Sequence, residues 1–251
     1  MPAAYDTYDY PAYWKGREYE HLAEFLAIKN LLLKIPKVDK SIEIGAGFGR
    51  LLPSYRFRVR KVVLSDPSAR LISKARKKYI NQKNIDFIQS TLSNIGTKNK
   101  YKNFDLCIMV RVLHHITDID EAFININKLL RNKGYFILEF ANKSHLKANI
   151  KGIFRGDITY PLNIFPVDLR SKKHIKNNTL PFINFHPDQV MEKLKNAGFE
   201  IIETRSVSNI RSSFMKRFFP INFLLDLEKI LQIPLSKINF GPSFFVLAKK
   251  I

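Results

Sequence analysis

The sequence feature that most limits the possible folds is the segment SIEIGAGFGRLLP at residues 41–53. Strand-forming residues lead into three glycines at alternate positions, Gly45, Gly47 and Gly49. Glycine tolerates positive φ angles and lets a ligand approach the backbone closely. If a helix follows, its free N–H groups and positive dipole end face that ligand. The segment therefore predicts a strand, a ligand-binding turn and the start of a helix.

Short apolar runs alternate with helical segments along most of the chain, a pattern typical of α/β proteins with a parallel sheet. Apolar spacing and capping residues predict helices at 18–34, 68–80, 118–130 and 187–197. Seven segments are expected to be strands: SIEI, KVVLS, IDFIQ, FDLCIMV, GYFILEF, FEIIETRSV and SFFVLAKK. We predict one Rossmann-like, doubly wound domain over residues 1–251, with a helical cap at 1–37 and an insertion at 142–185 after the fifth strand.

The chain is strongly basic, with 42 Lys and Arg against 22 Asp and Glu and a net charge of +20. Such a charge suits an anionic partner, such as nucleic acid, an anionic lipid surface or a phosphorylated substrate. The other explanation is the richness in Lys, Asn and Ile that is typical of AT-rich genes. The basic residues are spread along the chain rather than gathered in one tail, which favours this second explanation.

Cysteine content and hydropathy indicate the compartment. The single cysteine, Cys107, lies in an apolar run, so a disulfide framework is excluded. The N-terminus has no apolar segment like that of a secretory signal, and no apolar run reaches about 18 residues, the length that spans a membrane. We therefore expect a cytoplasmic protein.

The spacing of the glycines and an acid on the second strand indicate which ligand the turn binds. Dinucleotide-binding proteins have the pattern G-x-G-x-x-G, whereas here the third glycine comes one position early and the bulky Arg50 follows it. That spacing favours a smaller nucleoside over NAD. Asp66 ends the second strand beside this turn, where a carboxylate can accept hydrogen bonds from two ribose hydroxyls. It could also cap the following helix, and the two roles are compatible.

Five segments together resemble successive motifs of the class I S-adenosylmethionine-dependent methyltransferases: EIGAGFGRL, VVLSDPSARLISKARKK, FDLCIMVRVLHHITD, LLRNKGYFILEF and LKNAGFEIIE. Within that family, they are most similar to the quinone-biosynthesis C-methyltransferases and their small-molecule relatives. The resemblance is strong over residues 38–140 and looser over 186–250. It implies S-adenosylmethionine as the cofactor and a small-molecule or lipid-linked acceptor. It also implies a seven-stranded sheet whose last strand runs antiparallel to the others.

The resemblance assigns cofactor binding to Glu43, Gly45, Ala46, Gly47, Gly49, Asp66, Pro67, Ser68, Thr91, Leu92, Met109, Val110 and Arg111. Glu43 would orient the glycine turn or the methionine amino group, and Asp66 would hold the ribose. The glycines would line the methionine part, and Pro67 and Ser68 would lie against the adenine. Met109, Val110 and Arg111 would pass beneath the sulfonium. Thr91 stands where the family usually has an acid, so only a neutral hydroxyl is available there.

The polar and aromatic run YDYPAYWKGREYE near the N-terminus has two interpretations. In the first, Tyr13, Trp14 and Arg17 fold over the cofactor, and Arg17 pairs with its carboxylate. In the second, the aromatic side chains fix the position of the first helix. The sequence leaves both interpretations open.

Methyl transfer from a sulfonium requires positioning, exclusion of water and a proton acceptor rather than a strong nucleophile. The chain has no G-x-S-x-G motif, and its histidines lack the grouping of metal ligands, so we expect no catalytic metal. His115, in VLHHITD, is the candidate proton acceptor, because an imidazole suits that task near neutral pH. It could instead be a structural residue of its loop. His186 is expected to start a helix rather than act as a base.

The insertion at 142–185 is expected to select the acceptor. It contains eight basic and two acidic residues together with several aromatic ones, which favours an anionic or ring-bearing acceptor. The segment 212–232 is also apolar and basic. It could be a lid, a subunit contact or a peripheral helix at a membrane surface, although burial against the sheet is the simpler expectation.

Other functions stay open at this point. The net charge motivates an RNA methyltransferase, but the chain has no recognisable RNA-binding module, and DNA is not expected as a partner. The missing acid at Thr91 motivates a non-catalytic partner protein, against which the glycine turn and Asp66 argue. An NAD-dependent oxidoreductase is the most distant alternative.

Overall fold

The computed structural model describes residues 6, 9–96, 101–177 and 179–251. The strands of the described residues are β1 (Val38–Ile44), β2 (Val59–Asp66), β3 (Ile85–Gln89), β4 (Phe104–Met109), β5 (Leu130–Ala141), β6 (Val167–Asp168), β7 (Ile183–Asn184), β8 (Phe199–Val207) and β9 (Ser243–Lys250). Seven of them form one sheet in the order β3-β2-β1-β4-β5-β9-β8, and β6 pairs with β7. The seven predicted strands are confirmed, and β6 and β7 are additional short strands inside the insertion.

Strand directions position the site. β1 pairs in parallel with both β2 and β4, whereas β9 runs antiparallel between β5 and β8. This confirms the predicted antiparallel last strand. The strand order reverses between β1 and β4, where Ile44 and Met109 are opposite each other near the strand ends. In open α/β sheets, ligands bind in the crevice outside the carboxyl ends of the strands at such a reversal.

The described residues form the α-helices α1 (Glu18–Leu32), α2 (Leu52–Tyr55), α3 (Ala69–Lys78), α4 (Leu92–Gly96), α5 (Ile119–Leu129), α6 (Leu146–Phe154), α7 (Lys172–Lys176), α8 (Pro187–Asn196), α9 (Ser213–Phe218) and α10 (Ile221–Ser236). The four helices predicted above correspond to α1, α3, α5 and α8. Side chains of Ser68, Asp118 and His186 accept backbone hydrogen bonds at the starts of α3, α5 and α8. The capping residues therefore fix these helix starts.

The helix expected directly after the glycines is present but short. Residues 45–51 form turns and bends, and α2 has only four residues before a 3-10 turn at Arg56–Arg58 leads into β2. So short a helix has a small dipole, because the dipole sums over aligned peptide units. A ligand of the turn would therefore meet the left-handed backbone of the glycines rather than the end of a long helix.

Two apolar clusters lie on opposite faces of the sheet. Val62 and Leu64 of β2 belong to one cluster, and Val63 belongs to the other. Alternate residues of a strand point to opposite faces, so helices cover both sides, as a doubly wound sheet requires. The predicted fold class is confirmed. Cys107 is buried in the second cluster, and burial raises the pKa of its thiol.

The insertion at 142–185 holds α6, a 3-10 turn at Tyr160–Leu162, β6, α7 and β7. A buried lysine organises its start: Nζ of Lys143 donates to the carbonyl of Asn163 at 2.6 Å, to its Oδ1 at 2.8 Å and to the carbonyl of Phe165 at 2.6 Å. Asn178 lies outside the described residues, as do residues 1–5 and 7–8 of the predicted N-terminal cap. The roles of both segments as caps stay predictions.

The segment 212–232 divides into two parts. Leu224 and Glu228 of α10 are buried, and this helix contacts α1 and β8, as predicted. The expected burial is wrong for α9, where Phe214 and Phe218 are each 62% exposed and contact each other with ring centroids 4.5 Å apart. The described residues contain no helix that is long and apolar enough to cross a membrane.

Candidate active site

The glycine turn is crowded at two of its three glycines. The φ angles are +69° at Gly45, +56° at Gly47 and +71° at Gly49, so all three are left-handed. A methyl group added at Gly45 would lie 2.2 Å from Cγ2 of Val112, and one at Gly49 would lie 2.7 Å from Cε2 of Tyr79. A methyl group added at Gly47 would have its nearest neighbours at 3.8 Å. Contacts within the protein therefore explain two glycines, and Gly47 is where a ligand could approach the main chain.

Asp66 connects the end of β2 to the glycine turn. One carboxylate oxygen accepts the N–H of Gly47 at 2.8 Å, and the other accepts the N–H of Ser68 at 2.8 Å. Burial raises the pKa of Asp66, and these two N–H groups oppose that shift. The cap of α3 is Ser68 rather than Asp66, since its Oγ accepts the N–H of Leu71 at 3.1 Å. Ser68 also donates to Asp6 of the N-terminal segment at 2.5 Å.

Aromatic residues of the N-terminal segment lie over this turn. Tyr10 contacts the edge of Phe48 with ring centroids 6.1 Å apart, and its ring is among the nearest neighbours of Gly47. The guanidinium of Arg50 stacks on Trp14 at 3.6 Å, and that of Arg111 lies 4.8 Å from the same ring. Trp14 thus links this segment to the glycine turn and to the end of β4, whereas its contact with a cofactor stays a prediction.

Glu24 of α1 is a buried carboxylate that joins the turn to the end of β4. Arg50 donates to one of its oxygens at 2.5 Å, and Arg111 donates to the other at 2.6 Å. Burial alone would raise the pKa of Glu24, but the two guanidiniums outweigh it and hold this pKa below its usual value. The side chain of Arg50 is therefore fixed on α1, and its effect on dinucleotide binding stays a prediction.

Two predicted cofactor residues contact other protein groups. Glu43 is buried in β1 and accepts a hydrogen bond from the hydroxyl of Tyr55 at 2.5 Å, and burial raises the pKa of Glu43 to about 7. Thr91 is exposed, and its hydroxyl accepts the N–H of Asn94 at 3.3 Å at the start of α4. Their roles toward a cofactor stay predictions.

The end of β4 is strained and tied to β5. Met109 and Val110 are buried, and Arg111 has a φ angle of +59°, which is uncommon for a residue with a side chain. Its N–H donates to Glu139 at 2.7 Å, and the other carboxylate oxygen of Glu139 accepts the hydroxyl of Ser243 at 2.6 Å. Strained backbone that the surrounding structure holds in place is frequent at functional sites.

A cavity of about 650 Å³ opens at this edge of the sheet. Its walls come from the N-terminal segment, the turn after β4, the ends of β5 and β9, the insertion and the loop after β8. Two of the predicted cofactor residues, Arg17 and Arg111, line it, as does Tyr10. Its described lining residues do not include the glycine turn or Asp66. The cavity therefore lies beside the turn, on the other side of Tyr10.

His115 lines this cavity from a 3-10 turn at Leu113–His115. Its Nδ1 lies 2.7 Å from the carbonyl of Pro181, which can only accept, so Nδ1 carries the proton. Burial lowers the pKa of His115, so the ring is neutral near pH 7. His186 instead starts α8, where its Nδ1 accepts the N–H of Asp188 at 3.2 Å, as predicted. Among the described residues, no group of His, Cys, Asp and Glu is placed to hold a metal ion.

Comparison with known proteins identifies the central part of the chain. Residues 42–138 match the family described as a methyltransferase domain. This part of the chain is a methyltransferase domain. The matched segment includes the end of β1, all of β2 to β4 and most of β5, and so carries the glycine turn, Asp66 and His115.

Two curated proteins resemble the chain that carries this methyltransferase domain. One is a highly reducing polyketide synthase of Gibberella fujikuroi, 31% identical over 141 residues, which are 51% of this chain and 5% of the synthase. The other is the ubiquinone biosynthesis O-methyltransferase of Rickettsia bellii, 24% identical over 169 residues, which are 66% of this chain and 63% of that enzyme. The chain thus spans less than two thirds of the length of either relative.

Solved structures share the fold of the methyltransferase domain. The N-methyltransferase NodS of Bradyrhizobium japonicum, solved with S-adenosyl-L-homocysteine, aligns with a TM-score of 0.60 at 13% identity, covering 98% of this chain and 94% of NodS. An S-adenosylmethionine-dependent methyltransferase of Mesorhizobium loti aligns with a TM-score of 0.59 at 14% identity, covering 91% and 98% of the two chains. At such identities, the similarity establishes the fold alone.

Three residues of the methyltransferase domain's site were missed by the sequence analysis. Glu24 could have been noticed, because an acid at a core-facing position of an apolar helix needs a charged partner. Glu139 is the one charged residue in the otherwise mostly apolar segment GYFILEF. Arg211 follows β8 and lines the cavity, but its position depends on how distant segments assemble, and no local pattern marks it.

Proposed function

We propose that this methyltransferase domain transfers the methyl group of S-adenosylmethionine to a small-molecule acceptor held in the cavity. The observation that carries the proposal is the position of the cavity, which shares Tyr10 with the glycine turn at the carboxyl edge of the sheet. The Rickettsia relative, named for ubiquinone biosynthesis, supports a small-molecule acceptor. Neither RNA binding nor a non-catalytic role draws support from the relatives.

The residues at the turn fit the proposed cofactor. Each carboxylate oxygen of Asp66 accepts one backbone N–H, and a carboxylate oxygen has a second lone pair for a further donor. Asp66 can therefore keep its bonds within the protein and accept two ribose hydroxyls as well. Gly47 offers main chain to the methionine part, and Arg17, which lines the cavity, would pair with the carboxylate of that part.

The N-terminal segment has to move when the cofactor binds. Tyr10 packs against Gly47, and Asp6 bonds to Ser68, so both residues cover the place proposed for the nucleoside. The segment reaches α1 through Trp14, which stays attached to Arg50 and Arg111. We propose that Asp6 and Tyr10 shift while Trp14 holds its position.

When bound, S-adenosylmethionine supplies a methyl group on a positively charged sulfur, which is already activated for attack. The domain then has to align the acceptor with that methyl group, and such positioning can contribute about 7–11 kcal/mol. His115 is the proposed proton acceptor for an O–H or N–H nucleophile. Because Nδ1 donates to Pro181, the basic lone pair of the neutral ring is on Nε2.

Calorimetric titration with S-adenosylmethionine tests the proposal. We expect binding by the wild type, and we expect Asp66→Ala and Asp66→Asn to weaken it at least tenfold, or about 1.4 kcal/mol. Asp39→Ala, at the opposite end of β1 and exposed, is the matched control and should leave affinity unchanged. Absence of wild-type binding contradicts the whole proposal, whereas unchanged affinity in both Asp66 variants contradicts only the ribose assignment.

The acceptor itself can be found by incubation with labelled S-adenosylmethionine and a fractionated extract of the source cells. Mass spectrometry of the labelled product identifies the molecule and the atom that is methylated. Label recovered only in RNA would support the RNA methyltransferase instead.

A further inference from the structure

One end of the cavity carries a guanidinium, that of Arg211, which the proposed methyl transfer does not use. Arg211, in the loop between β8 and α9, lines this cavity together with Arg17 and Arg111. Arg211 is exposed to solvent, yet its partial burial still lowers its pKa, and the charges of Arg111 and Arg17 act in the same direction. The three guanidiniums are therefore close enough to repel one another.

Charge compensation is unequal among these arginines. Arg111 is neutralised by Glu24. The side chains of Arg17 and Arg211 form no hydrogen bond or ion pair with a described residue, although Arg17 stacks on the ring of Tyr13 at 4.2 Å. Arg17 is half-buried and Arg211 is exposed, and among the described residues neither guanidinium is paired with an acid, so both can bind an anion that enters the cavity.

The acids near the cavity do not supply that anion. Glu139 lines the cavity, but its two oxygens accept from the Arg111 main chain and from Ser243, and burial raises the pKa of Glu139. Glu20, whose charge also acts on Arg211, pairs with Lys216. The cavity wall around Arg211 is therefore cationic.

A neutral donor from the insertion faces the same region. His145 lines the cavity, and its Nδ1 accepts the N–H of Ala148 at 3.3 Å at the start of α6. Burial lowers the pKa of His145, and Arg211 and Lys147 lower it further, so the ring is neutral. A neutral ring whose Nδ1 accepts must carry its proton on Nε2. His145 thus offers an N–H donor beside Arg211 without adding charge.

Part of the cavity lining is apolar. Leu169, Leu180 and Phe182 of the insertion line it, and Phe182 packs against His115 with ring centroids 6.2 Å apart. A molecule that reaches from His115 to Arg211 would therefore cross apolar side chains and end among cationic and N–H donors. A planar guanidinium binds a carboxylate or a phosphate with two parallel hydrogen bonds.

We infer that the acceptor has an apolar, ring-bearing body with a carboxylate or phosphate group, and that Arg211, Arg17 and the Nε2–H of His145 bind this anionic group. The inference rests on the proposed function, because it describes the molecule that the cavity presents for methylation. Arg211 is then a specificity-determining residue, since an acceptor without the anion would leave its charge unpaired.

The test compares three ring-bearing probes that differ at one group: benzoate, phenyl phosphate and the neutral benzamide. Their affinities for the full chain are measured by ligand-observed NMR at constant ionic strength. We expect at least one anion to bind about tenfold or more tightly than benzamide, the range of a charge-assisted hydrogen bond. The comparison of benzoate with phenyl phosphate identifies which anion the site prefers.

Matched variants locate the effect. Arg211→Gln should remove the preference for the anion and leave benzamide binding unchanged. Arg217→Gln, on exposed α9 six positions further along the chain, removes the same charge outside the cavity and should retain the preference. An equal preference in the wild type and in Arg211→Gln would overturn the inference, as would equal binding of all three probes by the wild type.

Calorimetry with S-adenosylmethionine on the same samples separates the two proposals. Intact cofactor binding together with no anion preference overturns the inference alone. An anion preference that depends on Arg211 but is accompanied by no cofactor binding overturns the proposed methyl transfer and leaves the anion site standing. Arg17→Gln should weaken both ligands if that residue contacts the cofactor carboxylate as well as the acceptor.

Discussion

The two regions that border the cavity differ in how their charged side chains are paired. On the side of the glycine turn, the buried charged groups are matched: Glu24 binds two arginines, and Asp66 accepts two backbone N–H groups. On the side of the insertion, α6 and the residue after it carry three exposed basic residues at intervals of four, Lys147, Lys151 and Arg155. None of the three forms an ion pair with a described residue. Like charges at this spacing on a helix repel one another.

This difference indicates which region is held rigid. Matched and buried polar groups fix one geometry, because any displacement leaves a charge without its partner. The insertion instead exposes large apolar side chains, such as Phe154 at 86% and Leu162 at 80%. Segments with few buried contacts open at lower free energy than the core. We therefore expect a preorganised cofactor side and an adaptable acceptor side, and the predictions below test that distinction.

The largest loss of stability should come from removing Glu24, the carboxylate that Arg50 and Arg111 share beside the glycine turn. Glu24→Ala leaves the guanidiniums of Arg50 and Arg111 without their carboxylate in a buried environment. Breaking a buried ion pair by removing one partner costs about 3–5 kcal/mol. We expect the free energy of unfolding, measured by urea denaturation, to fall by that amount.

The matched control removes an acid from an ion pair of the insertion. Asp168 binds Arg170 two positions along the chain, near the surface. Ion pairs in contact with solvent contribute little, so Asp168→Ala should change the free energy of unfolding far less than Glu24→Ala. Equal losses in the two variants would show that the regions do not differ as described.

Local patterns were sufficient to predict the sheet but only part of the site. The central strands contain short apolar runs, and capping residues fix the starts of α3, α5 and α8, so these elements are encoded within short segments. Asp66 and the glycine turn could be predicted in the same way, since they occupy the ends of adjacent strands. Their positions follow from the sheet alone.

The remaining features depend on residues that are far apart in the sequence. Glu24 meets Arg50 and Arg111 only after α1 has packed across the ends of β1 and β4, so its role could not be read from any one segment. The exposure of α9 was missed for a related reason, because an apolar pattern does not indicate whether a partner surface is within reach. Arg211 enters the cavity only when β8 joins the sheet beside β9.

An intermediate effect should come from substituting a crowded glycine. Gly45→Ala forces a side chain into a left-handed conformation, which costs about 1–2 kcal/mol, and into contact with Val112. Overpacking of a well-packed region adds about 1–3 kcal/mol. Gly156 in the insertion has a φ angle of +89° and no neighbour within 4 Å of an added methyl group. Gly156→Ala should therefore lower the free energy of unfolding only by the conformational cost of about 1–2 kcal/mol, as measured by urea denaturation. An equal loss at the two positions would mean that the crowding seen at Gly45 relaxes easily.

The smallest effect concerns pH, and it probes the contact between the two regions. His115 belongs to the turn after β4, and its Nδ1 donates to Pro181 of the insertion. Burial lowers the pKa of His115, while the Pro181 carbonyl opposes that shift, so the ring should gain its proton only below the ordinary value of about 6.5. NMR titration of the ring protons, assigned by comparison with His115→Gln, measures this pKa directly.

The sign of the accompanying stability change follows from proton binding. As pH falls below about 6.5, His115 gains a proton in the unfolded chain before it does so in the folded one, so the free energy of unfolding should decrease. The loss should continue until pH reaches the lowered folded pKa of His115, and it should be smaller in His115→Gln. The rate of methyl transfer should stay constant through pH 6.5 and decline only below it, because the neutral ring is the proposed base. A ring that titrates at or above the ordinary pKa would mean that the insertion does not shield this turn from solvent, and the rigid region would then end before His115.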